Sequence, residues 1–366
     1  MLDDRVMSVR PKISVVMPSY DRGHTIGEAL DTVLAQTFQD FELIVVDEHS
    51  TDSTAEVLAD RQARHRGRIE VIRARAGNVA RARNLGLEAA RGDYVVYCDS
   101  DDAQLPTRLA AQAAVLDAAP EVALVFVDSF IWENGERVTH DSLLRDRWLG
   151  PTDHAFDEDL ARHFARHDTA AALGVPGVSP DVRVWRGRID GWLCASHVAW
   201  GHSQMYRAAI VRAAGGHWDR LRCYEDWELS SKLSKHHDLA FLDAPLVKYR
   251  VKHQQLTGTP RPNAECYVDN LLHTWWADRV FYRKHQATID RALATGFSIL
   301  GEVEARDGNF AEAEACFRRA ALEGPGAGKL ALLNLALSTL KHRVPALRGG
   351  PIGGRIPAVW GLHGRG

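Results

Sequence analysis

The 366-residue chain has only five cysteines, Cys98, Cys194, Cys223, Cys266 and Cys316, and no two stand at metal-ligand spacing. So sparse and odd a set excludes a disulfide framework or a cysteine-zinc site as the basis of the fold, and predicts reduced thiols. Nowhere do 18 consecutive apolar residues occur, which argues against a membrane-spanning helix. The opening MLDDRVMSVRPK has no apolar stretch of signal-peptide length, so the expected location is the cytoplasm. A global excess of either charge is missing too, with 45 Lys and Arg against 48 Asp and Glu, and nothing advertises a nucleic-acid partner. Acid is missing locally: none follows Glu323, whereas Lys329, Lys341, Arg343, Arg348, Arg355 and Arg365 do. Finally, no Gly-rich phosphate loop follows the first apolar run, where Ser19-Tyr20-Asp21-Arg22 stands instead. That absence counts against a dinucleotide-binding dehydrogenase and against a nucleotidyltransferase.

What is present is alternation. The apolar runs Ile13–Met17, Leu43–Val46, Ile69–Ile72, Tyr94–Cys98 and Ala123–Val127 read as strands covered on both faces. Between them Ile26, Ala29, Leu30, Val33 and Leu34 recur at helical spacing, and Ala80, Leu85, Leu87 and Ala90 mark a second helix that Gly92 is expected to close. The pattern predicts an α/β fold with a doubly wound, mainly parallel sheet. Ligands of such sheets bind beyond the carboxyl ends of the strands. From Gly150 to Gly201, Pro151, Pro176 and Pro180 punctuate segments that read as long loops. Helices near Tyr206–Ala213 and from Glu225 to Lys235 follow, with strands Leu239–Leu242 and Leu246–Arg250. Residues 263–285 and 287–342 read as wholly helical.

Three strand ends carry polar turns. Asp99-Ser100-Asp101-Asp102 places three carboxylates in four residues, which repel one another unless a cation neutralises them. Carboxylate oxygens suit Mg2+ or Mn2+, which also take phosphate oxygens; a solvated acidic turn is the plainer reading. Asp47-Glu48-His49-Ser50-Thr51-Asp52 and Pro18-Ser19-Tyr20-Asp21-Arg22 follow two other strands. Tyr20 suits stacking on a base, and Asp47 or Glu48 suits hydrogen bonds from base or ribose. Ser50 and Asp52 serve equally well as helix caps. Asp226 begins a helix whose Leu229 and Leu233 share its face, so an inward face would hold the carboxylate at the protein's edge. First-turn acids also complement a helix dipole.

These motifs, with Ala82-Arg83-Asn84-Leu85-Gly86, Ala89-Ala90-Arg91-Gly92-Asp93-Tyr94, Gly215-Gly216-His217-Trp218-Asp219 and Glu225-Asp226-Trp227-Glu228-Leu229, resemble in order and spacing the inverting family-two glycosyltransferases. The resemblance covers roughly residues 12 to 250. It implies the GT-A fold, with 11–130 as the nucleotide-sugar half and 131–256 as the acceptor and base half. It further implies that Pro18, Tyr20, Asp47 and Glu48 line the base pocket, that Arg83 lies near the diphosphate, and that Asp99 with Asp101 holds ribose and a divalent metal, Mn2+ or Mg2+. Asp226 would be the catalytic base. Two departures stand out: Glu48 replaces a usual aspartate, and His49 stands where a glycine is usual. Uridine is therefore only the first choice of base, and the acceptor (glycan, lipid-linked sugar, protein or small molecule) is left open. A non-catalytic interaction protein on a decayed transferase is the rival reading, although Asp101 and Asp226 are both retained.

Beyond the resemblance, residues 257–342 predict a helical extension. Leu300-Gly301-Glu302, Asp307-Gly308-Asn309-Phe310, Ala313-Glu314, Phe317 and Ala320 resemble one tetratricopeptide unit. In Lys329–His342 leucines cover all but one polar stripe, which predicts burial against the preceding helices or a homodimer seam. Peripheral contact with anionic lipid is the alternative, suggested by the basic, Gly-rich, flexible tail 343–366.

Overall fold

The computed structural model describes residues 10–133, 136–137, 143–144, 153–250 and 260–323. The boundary expected at residue 256, the stretch 329–342 and the basic tail lie outside the described residues. Two compact units divide the chain: Met1–Leu193 with His197–Arg220 and Glu225–Lys252, and Cys194–Ser196 with Leu221–Tyr224 and His253–Gly366. All five cysteines are free thiols.

The first unit is built on one sheet. β1 (Ile13–Ser19) and β2 (Phe41–Asp47) are buried along their whole length, as parallel strands covered on both faces must be. α1 (Ile26–Leu34) and α2 (Thr54–Arg64) follow them, and β3 (Ile69–Arg73) leads into α3 (Val79–Ala89). Then come β4 (Tyr94–Tyr97), the short β5 (Ala103–Gln104), α4 (Arg108–Ala118), β6 (Val122–Glu133) and the short β7 (Glu136–Arg137). The main path of the sheet is β3-β2-β1-β4, then an antiparallel strand β10 (Gln204–Arg207), β6, β11 (Asp238–Arg250), β9 (Arg183–Gly187) and β8 (Arg166–Thr169). Neighbours among β1 to β4 are parallel, as are β6 and β11. Val15, Met17, Leu43, Val45 and Val96 join Leu30 and Val33 of α1 in one core, each buried side chain of this size contributing about 1.5–3 kcal/mol. The α/β, mainly parallel architecture expected from the sequence is present.

Local expectations needed correction. Residues 153–193 are long loop only in part: they form α5 (Asp153–His163), β8, β9 and α6 (Asp190–Leu193), while 170–182, with Pro176 and Pro180, is irregular. Their strands have only four or five residues, rich in Arg and His, so no apolar run announces them. Residues 204–207 are strand, and the following helix, α7 (Ala208–Ala213), starts two residues later than expected. Asp243-Ala244-Pro245 does not split β11 in two; the register shifts there as in a bulge, which tolerates a proline lacking its N–H. Gly92 does not close α3, which ends against an extended Ala90. A Cβ at Gly92 would lie 2.6 Å from the Ser14 backbone nitrogen of β1, so close approach demands the glycine. α8 (Glu225–Ser234) completes this unit.

In the second unit α9 (Pro260–Asn270) passes through a wider π-type turn, Leu271–Trp276, before α10 (Arg279–Arg306); the helical run breaks at Asp278 and kinks again at His285, beside the break expected at residue 286. Gly308, with φ +85, turns the chain into α11 (Phe310–Glu323). Gly301 of α10 lets the Phe317 ring approach where a Cβ would meet it at 2.7 Å, and Ala313 and Ala320 are buried on the same face.

Candidate functional site

Parallel pairing brings the carboxyl ends of β1, β2 and β4 to one edge. Two turns there are tied together: the Asp21 carboxylate accepts from Thr51 N at 2.7 Å, and Ser50 Oγ accepts from Asp21 N at 2.9 Å. Asp52 accepts from Gly23 N and Thr54 N, both at 2.9 Å, so Asp52 does cap while Ser50 ties the turns. Asp21 and His49 both have positive φ, at 49° and 57°. A left-handed residue with a side chain costs roughly 1–2 kcal/mol, the physical reason a glycine suits the His49 position. Pro18 is buried in register with Val46, whereas the Tyr20 ring stands 55% exposed. Asp47 is fully buried, accepting from Ser50 N at 3.1 Å and pairing with Arg73 Nε at 3.0 Å. Glu48 accepts from Gly77 N at 3.0 Å, and burial, then the charge of Asp47, push its carboxyl up against the opposing Gly77 bond.

The acidic turn after β4 divides its carboxylates. Asp99, partly exposed, accepts from Arg83 Nη2 at 2.8 Å. Asp101 faces Arg22 at 3.5 Å. Asp102 is buried; its Oδ1 accepts from Arg250 N at 2.9 Å, and its Oδ2 has no hydrogen-bond partner among the described residues. Burial, then the charges of Asp101 and Asp99, push the Asp102 carboxyl well above its ordinary range. His202, just before β10, is buried and hydrogen-bonded through Nε2 to Ser129 Oγ at 2.9 Å. Burial holds its imidazole down at about 4, in the neutral form a metal requires. Ligand atoms of Asp99, Asp102 and His202 lie within 4.8 Å of one another. An orphaned carboxylate oxygen beside a second carboxylate and a neutral imidazole fits a divalent cation. Asp101, the metal ligand expected from the sequence, lies outside that group of three.

A second acidic site opens α8. The Arg83 guanidinium, buried beneath the turn and 5.4 Å from the Tyr97 ring centroid, bridges Asp99 and Glu225. Both ends of this guanidinium are thus occupied by protein carboxylates. Asn84 beside it clamps the loop before α8, donating to His217 O and accepting from His217 N, both at 2.9 Å. His217 is buried against Tyr97 and gives its Nδ1 to the Glu225 carbonyl, the scaffold role for a histidine. Asp226, only 9% exposed, accepts from Gly201 N at 2.5 Å and meets His197 Nε2 at 3.1 Å. Burial alone would raise the Asp226 pKa; the charge and hydrogen bond of His197, then Arg83 and the Gly201 N–H, outweigh it and hold the group well below the carboxylate range. Glu225 goes the other way: burial, offset by Arg83 and reinforced by Asp226, pushes it up to about 8.

Sequence reasoning named Asp226, Asp99 and Arg83 but missed how Asp102, His197, Gly201, His202 and Glu225 meet them, and that Arg73 pairs with Asp47. No spacing rule links a histidine in an irregular segment to a strand end 100 residues earlier. The one available signal was Asp102 itself, a third acid beside the Asp-x-Asp.

Residues 14–173 match the Glycosyl transferase family 2 profile. EpsE of Bacillus subtilis (strain 168) is 35% identical over 112 residues, 30% of this chain and 40% of that one, so the chain spans less than half of that relative. Among solved structures, S. aureus TarS 1–349 in complex with UDP-GlcNAc is similar at a TM-score of 0.52 and 16% identity, covering 91% of this chain and 92% of that one. A mannosyltransferase of Pyrobaculum calidifontis in complex with GDP-Man and Mn2+ is similar at a TM-score of 0.50 and 17% identity, covering 93% and 85%. Residues 14–173 are therefore similar to a glycosyltransferase family 2 domain, and the architecture is that of GT-A glycosyltransferase structures.

Proposed function

We propose that the protein transfers a sugar from a nucleoside-diphosphate donor, with uridine the expected base, to an acceptor hydroxyl with inversion at the anomeric carbon. The observation that carries this reading is the buried Arg83 bridge, which joins the acidic turn of β4 to the acids opening α8. Cation ligands and a candidate base thereby share one charge network. The exposed Tyr20 ring suits stacking on the base, with Asp47, Glu48 and Arg73 beside it for hydrogen bonds. Asp99, Asp102 and His202 would hold Mn2+ or Mg2+, with the charge of Asp101 adding to the field there. Such a cation supplies charge stabilisation to the departing diphosphate, so no general acid is needed.

In the proposed step Asp226 accepts the proton of the acceptor hydroxyl as its oxygen bonds to the anomeric carbon. The bond from that carbon to the diphosphate breaks, and the electron pair leaves with the diphosphate. A single displacement of this kind inverts the centre. The UDP-GlcNAc and GDP-Man complexes of the structural neighbours support a nucleotide-sugar donor and make uridine against guanosine a question for experiment. The test is a screen of UDP-, GDP- and TDP-sugars with and without Mn2+, then of acceptors with the best donor, reading the product anomer by NMR. Manganese-dependent turnover to an inverted product is expected. No turnover of any donor favours the interaction-protein reading, and a retained anomer removes the single displacement.

A further inference from the structure

We propose that His197 is the positioning residue of the Asp226 carboxylate, holding it so that Oδ1 is left to take the acceptor's proton. The inference rests on the transfer reaction proposed above. An ionised carboxylate offers about four lone-pair sites. Three are used at Asp226: Oδ2 faces Gly201 N at 2.5 Å and His197 Nε2 at 3.1 Å, and Oδ1 accepts from Trp227 N at 2.8 Å. The remaining site is on Oδ1. Facing a carboxylate, His197 presents a protonated Nε2 whether its ring is neutral or charged, so it donates in either state.

The surroundings fix the donor as well as the acceptor. The His197 ring stacks on Trp227 with centroids 5.9 Å apart and planes 23° apart. Trp227 is fully buried, and its indole N–H donates to Leu193 O at 2.8 Å. On the other flank, a Cβ at Gly201 would come within 3.1 Å of Asp226 Cβ and 2.9 Å of Arg83 Nη1, so the backbone there presses against the carboxylate's own stem. Without His197 the carboxylate keeps one backbone donor on each oxygen, Gly201 N and Trp227 N, but loses the side-chain donor that restrains its turning about its last bond. A base must lie within hydrogen-bond reach of the proton it removes, so that freedom lowers turnover without touching the donor site.

The experiment compares His197→Phe, which keeps a ring against Trp227 but no donor, with His197→Gln, which keeps a donor at similar reach. Both are made in the wild-type and Asp226→Asn backgrounds. Expected for His197→Phe is a kcat lower by roughly 10–100-fold, the scale for a residue that orients a reacting group through a hydrogen bond. Donor KM and calorimetric binding of UDP with Mn2+ should stay unchanged, and His197→Gln should recover most of kcat. In the Asp226→Asn background His197→Phe should cost nothing further, because it acts through the missing carboxylate. Equal losses in both backgrounds, a loss confined to KM, or unchanged kcat in His197→Phe overturns the proposal. Should His197→Phe fail to fold, His197→Asn, whose amide is too short for Oδ2, replaces it; an Asn variant as active as the Gln variant overturns the proposal too. Failure of the wild-type enzyme to turn over any nucleotide-sugar instead removes the transfer reading, and this inference falls with it.

Discussion

The acidic turn after β4 and the acid pair opening α8 are built from the same side chains and reach opposite states. In the turn, burial and the like charges of Asp101 and Asp99 both push Asp102 up, and Arg250 opposes them too weakly to prevent it. At α8, Asp226 is comparably buried, yet His197, Arg83 and the Gly201 N–H hold it ionised, and the proton affinity is displaced onto Glu225. One cluster is short of positive charge and suited to completion by a cation. The other has its cation and its donors in place and is held ionised, the state from which a carboxylate can accept a proton. Composition of an acidic motif therefore says little about its role; the donors that the fold aims at it say most.

The largest effect that sharpens this contrast is expected at the pair. Asp226→Asn should lower kcat by about 10²–10⁴-fold, the usual worth of a general base, with donor binding nearly intact. A collapse of donor affinity with kcat preserved would make Asp226 a binding residue. Next comes the turn. Asp102→Asn should abolish manganese stimulation of turnover, whereas Asp101→Asn, which leaves the group of three intact, should weaken it less. Titrating Mn2+ against activity in both variants decides the order, and the reverse order returns the metal to the Asp-x-Asp pair.

A smaller effect concerns pH and stability. Glu225 binds its proton more tightly folded, at about 8, than unfolded, near 4.5, so its contribution is fully present below 4.5 and is lost as pH rises through about 8. Melting temperatures of the wild type and Glu225→Gln, measured from pH 5 to 9, should therefore diverge, the wild type losing ground towards alkaline pH. Parallel curves would place the Glu225 carboxyl in its ordinary range. The smallest change is expected at Glu48→Asp, which should shift relative efficiency among uridine, guanosine and thymidine donors more than it changes kcat. Unchanged relative efficiencies would remove Glu48 from the base pocket.

Legibility followed the physics of each segment. β1, β2 and β4 could be read because strands buried on both faces are apolar throughout, and their polar ends stand out against them. β8 and β9 could not, because Arg166-His167-Asp168-Thr169 and Arg183-Val184-Trp185-Arg186-Gly187 carry no apolar run. Gly92 was recognised as special for the wrong reason: a glycine that admits a neighbouring strand and one that ends a helix look alike in one dimension.

The five apolar strands up to β6, the helices α1 and α3 and the strand ends that carry acids were legible in the sequence alone, since periodicity and local turn chemistry are properties of neighbours in the chain. Which acids meet Arg83, which histidine faces Asp226 and which joins Asp99 and Asp102 were decided only by tertiary structure. β10 enters the sheet antiparallel between β4 and β6, and the segment just before it carries His197, Gly201 and His202. Hydrogen bonds and charges act over a few ångströms of space, and no spacing along the chain encodes a meeting of residues 100 positions apart.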